Sequence, residues 1–302
     1  MQINNNISLK SLIVQYHPVK GDVSQSTAKV MSMLEDYIGK DIDIVVMPEC
    51  ALTGYSFKAR QDMQHLAEIE GKGQQFAACT KIAKLLNAYV AMGYMERETE
   101  TEDSRLFNSC YLVDRSGKLI ANYRKMLMFE TDKLYFTPGT QQVLVTLENT
   151  KGQQIRAAIG ICMDINYKDF ENFYQFPLAE HCRDNQVDCL IFPTAWIHRP
   201  KECTDKNSLE IAMETYEWWL MRLTPMLNKS LRLGQEVKPR FEKEWVMLAA
   251  DRVGVEGDTT YKGCSAAISF NKPSSICKYM KIDGMLDEKI EKCLYSVSEL
   301  KR

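Results

Sequence analysis

Residues 156–162 read RAAIGIC, and the chain continues MDINY to residue 167. A short apolar run of this kind reads as a candidate strand. The run closes on a thiol, Cys162. Gly160, two residues earlier, permits a tight backbone approach. The stretch after the thiol has helical character, which sets Cys162 near a helix N-terminus, where a thiolate is stabilised. A buried core cysteine is the ordinary reading of such a residue, so its setting has to supply the weight. Two further apolar runs end in the same manner. Ile44-Val-Val-Met-Pro-Glu49 closes on a carboxylate, and Cys189-Leu-Ile-Phe-Pro-Thr-Ala-Trp196 closes on a proline-containing turn. Ligands of open α/β sheets gather at the carboxyl ends of strands.

Working outward, strand-like runs recur over 11–16, 43–47, 89–94, 109–113, 143–147, 156–162, 188–192, 246–250 and 265–270. Helical stripes lie between them: Val30, Met31, Leu34 and Ile38; Phe76, Cys79, Ile82 and Leu86; Leu209, Ala212, Tyr216, Trp219, Leu220 and Leu223. Asn207 and Glu210 form a capping-box pattern at the start of the third stripe, and Pro225 is expected to stop it. Asp114-Arg-Ser-Gly-Lys118 reads as a hairpin turn, with the cationic Arg124-Lys125 following it. The alternation predicts an α/β layered fold with a mixed sheet. Residues 8–302 are expected to form one domain, with a helical excursion at about 200–245 and a polar tail at 1–7.

The chain has 302 residues, 45% hydrophobic and 26% charged, with a formal charge of −2. That composition is globular, and the charge balance leaves no footprint for nucleic acid or an anionic membrane. No apolar run reaches the length of a membrane span, and the opening MQINNNISLK lacks the apolar core of a signal peptide. Ten scattered cysteines then read as reduced thiols in a cytoplasmic or nuclear setting. No C-x-x-C occurs and the four histidines form no H-x-x-x-H pair, so a built-in zinc site is not expected. No cofactor is expected.

Taken in order, VVMPECALTGY (45–55), NYRKMLMF (122–129), IGICMDINY (159–167), CLIFPTAW (189–196) and DRVGVEGDTTYKGCS (251–265) resemble five blocks of the nitrilase, or carbon–nitrogen hydrolase, superfamily. The resemblance covers about residues 10–272. It implies an α-β-β-α sandwich and a Glu–Lys–Cys triad at three strand ends. Carried onto this chain, Glu49 would be the general base, Cys162 the nucleophile that forms a thioester, and Lys125 the charge that holds the oxyanion. The Met163 backbone N–H would be a second oxyanion donor. The GICMDIN and TAW blocks, WWLMRLTPML (218–227) and RVGVEGDTTYKG (252–263) resemble the fungal-type protein N-terminal amidases. That branch implies side-chain deamidation of an N-terminal Asn or Gln, with the acidic product entering the N-degron pathway. Peptide or protein N-termini would be the partners, and the chain would act as a monomer or homodimer.

Two departures from the family pattern bear on the site. Many members carry a second glutamate soon after the lysine, which positions it; a gapless reading finds Lys133 there. Glu130 is the expected substitute, ahead of Asp132. Where amidases often read Asn-Arg, this chain reads Asp251-Arg252. An N-terminal amidase must also hold an α-ammonium, for which Asp164, Asp251, Glu256 and Asp258 are candidate carboxylates, with Trp196, Trp218 and Trp219 as candidate pocket walls, although Trp219 fits the helix stripe and better suits core packing. Two alternatives stay open: an amidase for a small free amide or N-carbamoyl compound, and a catalytically silent binding relative. Ionised Glu49 and protonated Lys125 together would give a bell-shaped pH profile.

Overall fold

A computed structural model describes residues 6–198, 207–227, 243–270, 280–287 and 289–301. In chain order the strands are β1 (Ile7–Gln15), β2 (Ile44–Val46), β3 (Tyr89–Arg97), β4 (Leu106–Val113), β5 (Leu119–Arg124), β6 (Leu144–Glu148), β7 (Gln154–Ile159), β8 (Cys189–Pro193), β9 (Trp245–Ala250), β10 (Val255–Glu256), β11 (Thr259–Thr260), β12 (Ala266–Phe270), β13 (Met280–Met285) and β14 (Lys292–Leu300). The helices are α1 (Val23–Leu34), α2 (Gln74–Leu86), α3 (Pro177–Asp184) and α4 (Ser208–Arg222).

Two six-stranded mixed sheets form, in the orders β14-β1-β2-β3-β4-β5 and β13-β12-β9-β8-β7-β6. Each has a parallel centre: β1, β2 and β3 in the first, and β7, β8 and β9 in the second. Strand alternation then builds the layers. On β2, Ile44 and Val46 face the second sheet while Val45 and Met47 face α1 and α2. On β9, Val246, Leu248 and Ala250 face the first sheet while Trp245, Met247 and Ala249 face α3 and α4. Three buried clusters result, one between the sheets and one under each helical layer. This is an α-β-β-α sandwich. Continuous apolar runs such as Ile44–Val46 are what strands buried on both faces require.

Local chemistry sets the element ends. The Asp22 side chain caps α1 by accepting from Gln25 N at 2.9 Å. The Asn207–Glu210 box caps α4 reciprocally, at 3.1 and 2.8 Å. Helix α4 ends at Arg222, and Pro225 sits in the 3-10 turn that follows, Thr224–Met226. Much of the expected 200–245 excursion lies outside the described residues. The hairpin at 114–118 closes as predicted, with Asp114 Oδ1 accepting from Ser116 N and Lys118 N and Gly117 at φ 83°.

Several expectations are corrected. Ile38 and Leu209 do not join their stripes and are 51% and 57% exposed. The chain leaves the α1 helix at Leu34 for a 3-10 turn, Glu35–Tyr37, which rotates Ile38 away from the core. Leu209 lies in the first turn of α4, beyond the edge of the core. Strands β13 and β14 had no counterpart in the sequence reading. Strand β14 runs antiparallel beside β1 along its full length, Ile7 to Gln15, and closes that side of the first sheet.

Candidate active site

Three strand ends meet at one place. Beyond β2 the chain turns through Pro48 and Glu49 into Cys50, which has a left-handed φ of 45°. Gly93 on β3 makes this turn possible: a Cβ there would lie 2.5 Å from Pro48 O and 2.6 Å from Glu49 Cα. Beyond β5 comes Lys125, whose backbone is held on both sides, its N–H by Asn108 O at 2.8 Å and its carbonyl by Gly139 N at 2.7 Å. Beyond β7 comes Cys162, at φ 44°, opening the 3-10 turn Cys162–Ile165. The N–H groups of Cys162 and Met163 precede the first bond of that turn, Asp164 N to Ile161 O at 2.9 Å, so the turn itself leaves them unused.

Glu49 and Lys125 have no exposed surface. Lys125 Nζ lies 2.6 Å from Glu49 Oε1 and 2.6 Å from Asp132 Oδ2. Burial pulls the ammonium pKa down, but Asp132 and Glu49 outweigh it and hold Lys125 well above the ordinary lysine range. Asn108 Nδ2 donates to Glu49 Oε1 at 2.5 Å and to Asp132 Oδ1 at 3.3 Å. The Tyr55 hydroxyl donates to Asp132 Oδ1 at 2.7 Å. Glu49 Oε2 has no hydrogen-bond partner among the described residues. The Cys162 thiol is pushed well above its ordinary range, first by burial and then by the Glu49 charge. Lys125, the Thr194 side chain and the Ala195 backbone pull against that shift without cancelling it. Cys162 is half-buried, whereas the other seven described cysteines are fully buried.

The expected lysine partner is corrected. Glu130 points to solvent, and Asp132 occupies the place against Lys125. The loop after β5 contracts into a 3-10 turn, Asp132–Leu134, and Phe129 N donates to Asp132 Oδ2 at 2.9 Å, which turns that carboxylate inward. Lys133, one step along the turn, faces outward and pairs with Asp169 at 2.7 Å. It therefore sets no charge against Lys125.

The acidic candidates separate by what already occupies them. Asp164 is 2% exposed, and both its oxygens are taken. Oδ1 accepts from Met126 N at 3.0 Å and Leu127 N at 2.8 Å; Oδ2 accepts from Ile161 N at 2.9 Å and the Tyr123 hydroxyl at 2.8 Å. It fastens the cysteine turn to the lysine loop and has no lone pair directed to a ligand. Burial raises its pKa to about 6 against those bonds. Glu256 is also committed. It pairs with Arg252 and accepts from Tyr55 N and Ser56 N at 2.9 Å each, bracing the loop that carries Tyr55. Asp258 is exposed. Asp251 differs from all three: Oδ1 accepts from Trp196 N and Arg252 N at 2.8 Å each, but Oδ2 is buried with no partner among the described residues. Burial first, and the Glu49 charge among the other contributions, push Asp251 well above the carboxylate range.

Trp196 follows Thr194 and Ala195, the pair beside the thiol, and packs edge-on against buried Trp219 with centroids 5.7 Å apart. Trp218 donates from Nε1 to Asn166 Oδ1 at 2.8 Å. Sequence reasoning missed Asn108 and the role of Tyr55. An asparagine inside the eight-residue apolar run LFNSCYLV was the available signal, because a buried amide needs partners. Among the described residues no His/Cys/Asp/Glu group could hold a metal ion, and no helix is long and apolar enough to cross a membrane.

A two-sheet sandwich with a carboxylate, a lysine and a cysteine at adjoining strand ends defines a class, and the carbon–nitrogen hydrolase family model matches residues 13–174. The chain belongs to the carbon–nitrogen hydrolase family, which places it among hydrolases of carbon–nitrogen bonds. Among curated proteins it is similar to the protein N-terminal amidase of Saccharomyces cerevisiae, with 31% identity over 223 residues, 67% of this chain and 48% of that protein. It is also similar to the protein N-terminal amidase of Schizosaccharomyces pombe, with 25% identity over 281 residues, 87% of this chain and 92% of that one. The chain thus spans about half the length of the first relative and nearly all of the second. Among solved structures, an N-terminal amidase bound to an Asn-Glu-Ala peptide superposes with a TM-score of 0.81 at 21% identity, covering 98% of this chain and 99% of that one. The fold expected from the sequence is the fold observed.

Proposed function

We propose that this chain is a thiol amidohydrolase that deamidates the side chain of an N-terminal Asn or Gln in peptides or proteins. The observation that carries the chemistry is the buried Lys125 ammonium, held between Glu49 and Asp132 beside a protonated Cys162 thiol. Such a thiol is not a nucleophile until a base takes its proton. Glu49 accepts that proton as the sulfur attacks the amide carbon. Lys125 and the Met163 backbone N–H hold the resulting oxyanion. Glu49 returns the proton to the leaving nitrogen, the C–N bond breaks, and ammonia departs from a thioester. Water then gives a proton to Glu49 and attacks the thioester carbon. The C–S bond breaks, the sulfur recovers its proton, and the amide has become an acid. The acidic N-terminus is a substrate for the N-degron pathway.

The curated relatives support the N-terminal substrate class. Within the site we assign the α-ammonium to Asp251, with Trp196 beside it: Oδ2 has no partner among the described residues, and an arriving cation favours the carboxylate form that burial otherwise opposes. The decisive assay is ammonia release from Asn- and Gln-peptides, each free and N-acetylated, by wild type and Cys162→Ala. Release only from free-amine peptides, lost in the variant, supports the proposal. Release from acetylated peptides or free amides would move the chain to a general amidase. Silence on all substrates by folded protein would point to a binding relative.

A further inference from the structure

Asn108 sits in the middle of β4 with no exposed surface. Its amide touches both carboxylates that flank Lys125: one N–H of Nδ2 reaches Glu49 Oε1 at 2.5 Å, and the other lies 3.3 Å from Asp132 Oδ1. Its own Oδ1 is taken by the Cys50 thiol at 3.8 Å. Rotating the amide by half a turn would set a carbonyl oxygen against two carboxylates, so charge fixes its orientation. The Asn108 carbonyl also accepts the Lys125 N–H at 2.8 Å. One residue therefore sets the Lys125 backbone and donates to both of the ammonium's partners.

The two Glu49 oxygens are thereby made unequal. Oε1 accepts from an ammonium and from an amide, while Oε2 accepts from no described residue. We propose that Asn108 is a positioning residue that dedicates Glu49 Oε1 to structure and leaves Oε2 as the oxygen that takes the thiol proton. This deepens the triad reading above and rests on it. Taking a donor away from a carboxylate disfavours its charged form, which gives the inference a pH-dependent readout. The charged and titratable groups facing Glu49 come from four places: Lys125 at the end of β5, Asp132 in the turn after it, Cys162 at the end of β7, and Asp251 at the end of β9. Cys50, Tyr55, Tyr135 and Tyr261 also feel it and are held protonated, chiefly by burial. Asn108 is the neutral donor among them.

The test is the pH profile of kcat/KM on an Asn-peptide for wild type, Asn108→Ala, Asn108→Asp and Glu49→Gln, with thermal unfolding of each. Asn108→Ala removes both donors, and Asn108→Asp keeps the volume while replacing a donor by an acceptor. The acidic limb should move up by about one to two pH units in both, with kcat falling and KM nearly unchanged. The pH dependence of Cys162 alkylation by iodoacetamide should move with it, which keeps the reading available if turnover becomes too slow. An acidic limb that stays in place in folded variants overturns the inference and leaves Asn108 a packing residue. Activity surviving in Glu49→Gln would instead overturn the triad reading beneath it. The two failures are thus distinguishable.

Discussion

Asp164 Oδ1 lies 3.0 Å from Met126 N, the residue after Lys125, while its other oxygen holds Ile161, the residue before Cys162. One carboxylate thus fastens together the backbones that carry Lys125 and Cys162, the proposed oxyanion charge and nucleophile. A site built on strand ends needs such a cross-brace, because an error of about 1 Å between reacting groups costs roughly 10²-fold in rate.

The Asp164 pKa gives a stability prediction. Its folded value, raised to about 6, exceeds the usual unfolded value of about 3.9. The folded state therefore binds the extra proton, so this contribution is full below about pH 4 and is lost as pH rises through about 6. Its size is on the order of 3 kcal/mol. In urea titrations the stability advantage of wild type over Asp164→Asn should narrow from pH 4 to pH 7. An advantage that widens with pH would contradict the raised value.

The exchange of Glu130 for Asp132 as the lysine partner predicts an asymmetry. Asp132→Asn keeps the shape but removes one of the two charges on Lys125, and kcat/KM should fall by about 10²-fold. Glu130→Gln should behave as wild type. Steady-state kinetics on the two variants decide the matter.

Gly93 offers a way to move Glu49, the proposed base, without touching its chemistry. In Gly93→Ala the new methyl would press on Pro48 O and Glu49 Cα. Unfolding should show a loss of about 1–3 kcal/mol, and folded protein should lose activity through kcat, because the displaced backbone carries Glu49. An active, fully stable Gly93→Ala would show that the turn can give way.

The alkaline side of the pH profile also changes from the bell expected of the sequence. Lys125 is held too high to titrate near neutrality. With an N-terminal peptide, the basic limb of kcat/KM should fall near the substrate's own α-amino pKa, about 8. It should shift when a peptide of different amine pKa is used. A basic limb that ignores the substrate would assign it to the protein.

Much of this site was legible because buried parallel strands leave no ambiguity. Runs such as Ile44–Val46 and Cys189–Phe192 are apolar on both faces, and a charged or reactive residue just past their ends stands out. Asp132 did not stand out, because only the 3-10 contraction after β5 selects it over Glu130. Asn108 was hidden inside a strand whose other residues read as core. Strand β14 misleads in a different way: its buried face carries Ser296 and Ser298, while Tyr295 and Val297 are 38% and 39% exposed. Apolar residues lie on both faces of this strand, Leu294 and Leu300 inward and Tyr295 and Val297 outward, so alternation does not single out the buried side.

The Glu49–Lys125–Asp132 cluster has one further consequence, which concerns turnover. Two acidic side chains share one ammonium there, so acidic groups outnumber basic ones in the cluster. A side-chain amide is neutral and meets no opposition on entry. The acid that replaces it is an anion, and like charges about 4 Å apart repel by roughly 4 kcal/mol at an effective dielectric constant of 20. If the proposed reaction holds, the cluster beside the nucleophile opposes its own anionic product, so reaction products should inhibit weakly in steady-state assays.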